Sequence, residues 1–239
     1  MRRNFFLLVA MILVLCSASA LAQTVKKPFN GKDLSGWKTN GNQENVWKVG
    51  KLTADATTFE LAPLSGSDST AVLANMVATN WNRPPRKGVD FYTEEKYGDC
   101  TVKLEFLIPK GSNSGVYLMG QYEVQIQDSF GKPDDRLGQG DMGAIYSAAA
   151  PALNACGEPG TWQKYEIEFV APKFDSDGNK TANAVFKKIL LNGKVVQENV
   201  EVKGPTGGEL TNREAPTGPL MLQGNHGPIA FRNIEVIVP

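Results

Sequence analysis

Seven residues near the middle of the chain, Tyr122-Glu123-Val124-Gln125-Ile126-Gln127-Asp128, mix acidic, amide and apolar side chains in alternation. As a β-strand they put Glu123, Gln125 and Gln127 on one face and Tyr122, Val124 and Ile126 on the other. The apolar face packs a core. The polar face is either solvated sheet surface or the floor of a ligand groove, and a carboxylate between amides suits sugar hydroxyls, which both donate and accept hydrogen bonds. Conventional glycoside hydrolysis needs two facing carboxylates. Asp128 stands five positions from Glu123. Alternation therefore sends it to the opposite face unless a bulge intervenes, which leaves Glu123 without a facing carboxylate on its strand.

His226 is the single histidine, in Leu222-Gln223-Gly224-Asn225-His226-Gly227-Pro228, a Gly/Pro-flanked loop between two strand-like runs. Such a histidine is either a surface residue or a proton carrier working near neutral pH. Arg232 follows on the next run and could stabilise an anion. Other motifs fail. Gly111-Ser112-Asn113-Ser114-Gly115 has asparagine where a nucleophile-elbow serine would sit. Asp175-Ser176-Asp177-Gly178-Asn179 starts like a calcium loop, but its glycine comes too early and no Glu closes it, so it reads as a turn. With one histidine and three cysteines the chain excludes a Cys/His zinc cluster. There is no P-loop and no dinucleotide fingerprint.

The elements that must position these residues have a period of two. Strand-like runs recur at 46–49, 100–108, 114–119, 122–127, 163–170, 184–191, 194–200, 220–223 and 229–238, and no stretch keeps helical spacing for three turns. Asn192-Gly193 between two apolar runs predicts a two-residue hairpin, because both residues tolerate positive φ. The chain is predicted all-β: a large antiparallel two-sheet sandwich or jelly roll. The irregular stretches 52–88 and 130–160 are too long for ordinary connections and are expected to be functional or edge-covering.

Residues 1–22 read as a secretory signal peptide. Arg2 and Arg3 form the basic end, Phe5 to Leu15 the apolar core and Ala20-Leu21-Ala22 the cleavage site. A rival reading lipidates Cys16, but leucine directly before it is too large for that cleavage. No run of about 18 apolar residues predicts a transmembrane segment. The expectation is an exported protein, periplasmic or secreted, with one domain over residues 23–239. Lys and Arg balance Asp and Glu at 25 each. Nucleic acid is therefore not an expected partner, since phosphate binding needs a basic surplus on one face. Export leaves Cys100 and Cys156 in an oxidising compartment, as a disulfide or as two separate buried thiols.

Together the blocks FNGKDLSGW, YGDCTVKLEFLIP, SNSGVYLMGQYEVQIQDSFG, GAIY…AP…NACGEPGTWQKYEIEF and GPLMLQGNHGPIAFRNIEV resemble the 3-keto-disaccharide hydrolase domain family, over about residues 27–239. The resemblance implies a concanavalin-like jelly roll with a sugar-binding concave face. It also implies cleavage of glycosidic bonds in sugars oxidised to a ketone at C3. One base, one acid and one enolate stabiliser then suffice. Carried onto this chain, Glu123 and His226 share the proton work, and Arg232 or a bound divalent cation stabilises the enolate. Asn113, Gln125, Tyr146 and Gln223 hold hydroxyls. A separate oxidoreductase must supply the keto sugar, because no segment here binds a nicotinamide or flavin. Met119 and Lys103 stand where relatives often carry a basic residue and histidine. A lectin-like binding module would use the same face, with Tyr117, Trp81 and Trp162 as candidate aromatic platforms.

Overall fold

The computed structural model describes residues 23–41, 44–55, 59–64, 70–76 and 88–239. The signal-peptide reading, Cys16 and Trp81 lie outside the described residues. Sixteen strands occur among those described. The first eight are β1 (Thr24–Lys26), β2 (Trp37–Thr39), β3 (Trp47–Ala54), β4 (Phe59–Ala62), β5 (Ala71–Asn75), β6 (Phe91–Tyr97), β7 (Cys100–Leu107) and β8 (Asn113–Leu118). Then come β9 (Tyr122–Gln127), β10 (Gln163–Val170), β11 (Lys173–Phe174), β12 (Lys180–Ala182), β13 (Ala184–Leu191), β14 (Lys194–Val202), β15 (Gly218–Leu222) and β16 (Ile229–Val238). One 3-10 turn, Asp134–Arg136, interrupts them.

All strand pairings are antiparallel. The larger sheet runs β14-β13-β10-β7-β16-β5-β3-β4, with β1 added to β16; the smaller runs β2-β6-β15-β8-β9. This is the all-β jelly-roll sandwich that the sequence predicts. The alternating segments form as expected: in β7 Val102, Leu104 and Phe106 point inward, and in β10 Tyr165, Ile167 and Phe169 do. At the tip between β13 and β14, Asn192 and Gly193 take φ of 52° and 80°, the geometry a two-residue hairpin requires.

One apolar cluster fills the space between the sheets. Trp37 and Trp47 both stack on Phe91, with centroids 5.2 and 5.5 Å apart. Phe106 stacks on Tyr165 at 4.9 Å. Each such pair adds about 1 kcal/mol beyond the area it buries. Tyr165 also crosses the core from the larger sheet and donates its hydroxyl to the Gln125 carbonyl of β9 at 2.7 Å. That bond fixes the height of the strand carrying the polar residues against the opposite sheet.

The two cysteines are separate thiols, so the disulfide alternative is corrected. Cys100 pairs with Phe169 near the end of β10, whereas Cys156 lies beside Gly157, which bonds Gln163 at the start of β10. Six strand residues separate these points, about 20 Å, far beyond the reach of a bridge.

Candidate active site

The register of β8 on β9 decides what shares a face. Asn113 lies opposite Gln127, Gly115 opposite Gln125 and Tyr117 opposite Glu123, all facing away from the core. Met221 of β15 joins Tyr117, and Tyr92 of β6 joins Met221. The sequence left this face open as solvated surface or groove. Glu123 is 2% exposed and Gln125 3%, so solvated surface is excluded.

One chain segment covers the edge of this face and another crosses above it. As the outermost strand of its sheet, β9 would expose unpaired backbone groups, a liability folds usually cover. Residues 143–146 supply that cover: Gln125 donates to the Ala144 carbonyl, and Gly143 and Tyr146 donate to the Gln125 and Glu123 carbonyls. This is the edge-covering role expected of the 130–160 stretch. The Glu123 amide donates to Thr206 Oγ1 at 2.9 Å. Thr206 belongs to a strap, residues 203–217, that crosses above Tyr117 between β14 and β15. The strap is pinned by Glu214, which accepts from the Tyr122 hydroxyl and from Lys180 Nζ.

Glu123 leans over Gly115, whose missing side chain leaves the carboxylate its place. Burial pushes its pKa up to about 8; a hydrogen bond from Tyr117 opposes that rise, and the negative charge of Asp90 adds to it. The Tyr117 hydroxyl also meets Gln223 Nε2 at 3.1 Å and the Gly207 carbonyl at 3.2 Å. Burial first, then Glu123, raises the phenol well above its ordinary range, so it stays protonated and able to donate. Gln223 is aligned by its amide, which donates to the Gly115 carbonyl at 2.9 Å. Tyr146 sits at the rim, its ring beside Gly207.

Four acceptors on this face are buried with no hydrogen-bond donor: Asn113 Oδ1, Glu123 Oε1, Gln125 Oε1 and Gln223 Oε1. Asn113 meanwhile donates through Nδ2 to Gln127 Oε1 at 2.9 Å. Buried polar atoms are nearly always paired, so a cluster of orphan acceptors marks a place where donors are meant to arrive.

His226 lies in the β15–β16 loop at the Asn113 end of this face, where the neighbouring Gly227 packs on Ser112 and Asn113. Its Nδ1 faces Asn225 Oδ1, an acceptor. We therefore assign a proton to Nδ1. Asn225 Nδ2 in turn approaches Asp90 Oδ2 at 3.5 Å, and Asp90 Oδ1 accepts from the Gly224 amide at 3.0 Å. Sequence reasoning missed Asp90. It is 8% exposed, and desolvation raises its pKa. Its signal is thin: an acid between Val89 and Phe91, just before a strand.

The structure thus brings Glu123, Gln125, Asn113, Gln223 and Tyr146 to one side of the smaller sheet, with the His226 loop at its Asn113 end. Arg232 does not belong with them. It lies on the outer face of the larger sheet, bonded through Nε to Glu105 at 2.7 Å and stacked 3.9 Å from the Trp162 ring centroid. Trp162 leaves the platform list for the same reason. Lys103 is likewise on that outer face, 3.2 Å from Glu166. Asp128, just after β9, is occupied in accepting from the amides of Gly111, in the turn before β8, and Phe130. Among the described residues no three His, Cys, Asp or Glu side chains converge as ligands for a metal ion.

A two-sheet β-sandwich with a covered carboxylate-and-amide face on its smaller sheet is the class of protein defined here. The chain belongs to the 3-keto-alpha-glucoside-1,2-lyase-like domain family, whose pattern matches residues 24–237. It is similar to a solved structure of a candidate glycosyl hydrolase from Parabacteroides distasonis, at 25% identity and TM-score 0.57, over 98% of this chain and 93% of that one. A second candidate glycosyl hydrolase of that organism shares the fold at 17% identity and TM-score 0.57, over 89% and 92%. A third does so at 23% identity and TM-score 0.52, over 89% and 98%. No curated protein matches the chain. Among the described residues no helix is long and apolar enough to cross a membrane.

Proposed function

We propose that this protein cleaves the glycosidic bond of a sugar already oxidised to a ketone at C3. The observation that supports this most is the group of four buried, donor-less acceptors on one sheet face, since saccharide hydroxyls are the donors such atoms lack. Family membership and the candidate glycosyl hydrolases point to the same substrate class.

A C3 ketone acidifies the hydrogen on C2. Glu123, its pKa raised toward neutrality, takes that proton as general base, and the C2–H electron pair moves into the C2–C3 enolate. Tyr117, a neutral donor, turns its single hydrogen to the enolate oxygen once Glu123 is protonated. Collapse of the enolate forms a C1–C2 double bond and breaks the bond from C1 to the leaving oxygen. That oxygen takes a proton from Nε2 of the His226 imidazolium, which then keeps the Nδ1 proton shared with Asn225 and is neutral. Water adding across C1–C2 afterwards makes the outcome hydrolysis; release before addition makes it a lyase reaction. Asn113, Gln125, Gln223 and Tyr146 bind hydroxyls of the ring.

This chemistry needs one carboxylate, which agrees with a strand offering Glu123 alone. The keto sugar must come from a separate oxidoreductase. Residues 23–239 act as one domain, exported by the first 22. A non-catalytic carbohydrate-binding module would use the same acceptors but has no need of a carboxylate that titrates near neutral pH.

The test is purified protein, with and without a chelator, mixed with a 3-keto glucoside and separately with its parent glucoside. Aglycone released from the keto sugar alone supports the proposal. Binding without cleavage of either sugar overturns it in favour of the binding module.

A further inference from the structure

The face that carries Glu123 continues across the smaller sheet into a second cleft. Glu123, Tyr117, Met221, Tyr92 and Lys38 are register partners on five successive strands. Strands about 4.8 Å apart put Tyr92 roughly 14 Å from Glu123, a span of some two or three sugar units. There, β2, β6 and the start of β15 floor a cavity of about 350 Å³, and the strap that covers Tyr117 walls it with Thr211 and Arg213.

Two features of this cleft are unexplained by folding. First, its charge is unbalanced. Lys38, Lys96 and Arg213 line it against one carboxylate, Glu94, and Glu94 is paired with Lys38 at 2.9 Å. Lys96 and Arg213 have no acidic partner among the described residues. Second, Gln121 is 4% exposed, and its Nε2 donates to Thr211 Oγ1 at 2.8 Å, yet its Oε1 is buried without a donor. Two cations ask for an anion, and a fixed acceptor asks for a hydroxyl or amide hydrogen. A neutral sugar answers only the second demand and an inorganic ion only the first.

We infer that this cleft is a subsite for an acidic sugar in the leaving group, one whose ring hydroxyl donates to Gln121 Oε1 while its carboxylate or sulfate lies between Lys96 and Arg213. The inference rests on the reading that the Glu123 face takes a saccharide. Glu123 acts on the oxidised ring, and the cleft selects what that ring is attached to. Lys96 and Arg213 are exposed, so replacing them leaves the core and the Glu123 site untouched.

The experiment is calorimetric titration of the full chain at low ionic strength with three unoxidised disaccharides: glucosyl-glucuronate, a sulfated glucosyl-glucose and neutral glucosyl-glucose. Both acidic probes are expected to bind about tenfold tighter than the neutral one, with the difference shrinking as salt screens the charges. The double variant Lys96→Met, Arg213→Gln is expected to bind all three alike, with unchanged affinity for the neutral probe. A preference for only one acid identifies the anion as carboxylate or as sulfate. Equal binding of all three by the unaltered protein, or a preference that survives the double variant, overturns the subsite and leaves the proposed reaction standing. Binding of none of the three overturns the saccharide reading and the subsite together. Absence of keto-sugar cleavage alongside an intact acidic preference overturns only the reaction.

Discussion

The Glu123 carboxylate occupies the position that a side chain on Gly115, its neighbour on the adjoining strand, would need. The two residues are offset by two cross-strand pairs, because Gly115 faces Gln125 in the register. Glycine is required here for space and not for backbone freedom, since Gly115 is absent from the positive-φ positions. Gly115→Ala should therefore swing the carboxylate away from C2. A misplacement of about 1 Å costs on the order of 10²-fold in rate. We expect that loss in kcat on a 3-keto glucoside, with circular dichroism unchanged. Full activity would show that Glu123 works from another position.

The pH dependence follows from the Glu123 pKa of about 8, against an ordinary value of 4.5. The folded protein holds this proton more tightly than the unfolded chain. Its contribution to stability is fully present below about 4.5 and is lost as pH rises through about 8. Asp90, also raised, adds a loss of the same sign. Thermal unfolding should therefore begin at lower temperature in mildly alkaline than in mildly acidic buffer. Glu123→Gln should flatten the part of this slope that Glu123 supplies. As a base, Glu123 must also give kcat an ascending limb near pH 8 that the same variant abolishes. A descending limb at that pH would make it the acid instead.

Rate and binding should separate at the two proton carriers. Glu123→Gln and His226→Gln preserve shape and much of the hydrogen bonding. Each is expected to lower kcat by about 10² to 10⁴-fold. The affinity for an unreactive sugar, read by titration, should stay within a few fold. A parallel loss of binding would assign these residues to holding the sugar.

Glu214 ties the strap to the body of the sandwich through Tyr122 and Lys180. The Lys180 and Glu214 side chains are only 24% and 16% exposed. Removing one partner leaves the other charge half-buried, which costs about 2 to 3 kcal/mol. Glu214→Ala should lower the unfolding midpoint in urea accordingly. It should also speed protease cleavage within residues 203–217.

Both cysteines should titrate as thiols. Burial pushes Cys100 up to about 12 and Cys156 up to about 11, so neither forms much thiolate at neutral pH. A thiol reagent should react slowly with the native protein and with both residues once it is denatured without reductant. A denatured protein with neither thiol reactive would contradict the separated positions of Cys100 and Cys156.

Strands with one face on the core were legible before folding. The 122–127, 163–170, 184–191 and 229–238 segments form within the predicted bounds, because alternation is imposed by burying every second side chain. Strand β5 gave no such pattern: Ala71–Asn75 is buried on both faces. Strand β6 was hidden by Glu94-Glu95-Lys96, which are exposed on both sides of the strand end. Both fall in or next to the 52–88 stretch read as irregular.

The all-β class, the hairpin at Asn192-Gly193 and the face shared by Glu123, Gln125 and Gln127 are readable from the order of residues alone. These depend on neighbours a few residues apart, whose geometry the backbone period sets. The cover over this face, the place of Asp90 behind Asn225 and the place of Arg232 on the opposite sheet emerge only on folding. Those depend on which strands pair across gaps of a hundred residues or more, as in the 2.7 Å bond of Arg232 to Glu105. A strand's alternation says which residues share a face, but the pairing of distant strands decides what that face meets.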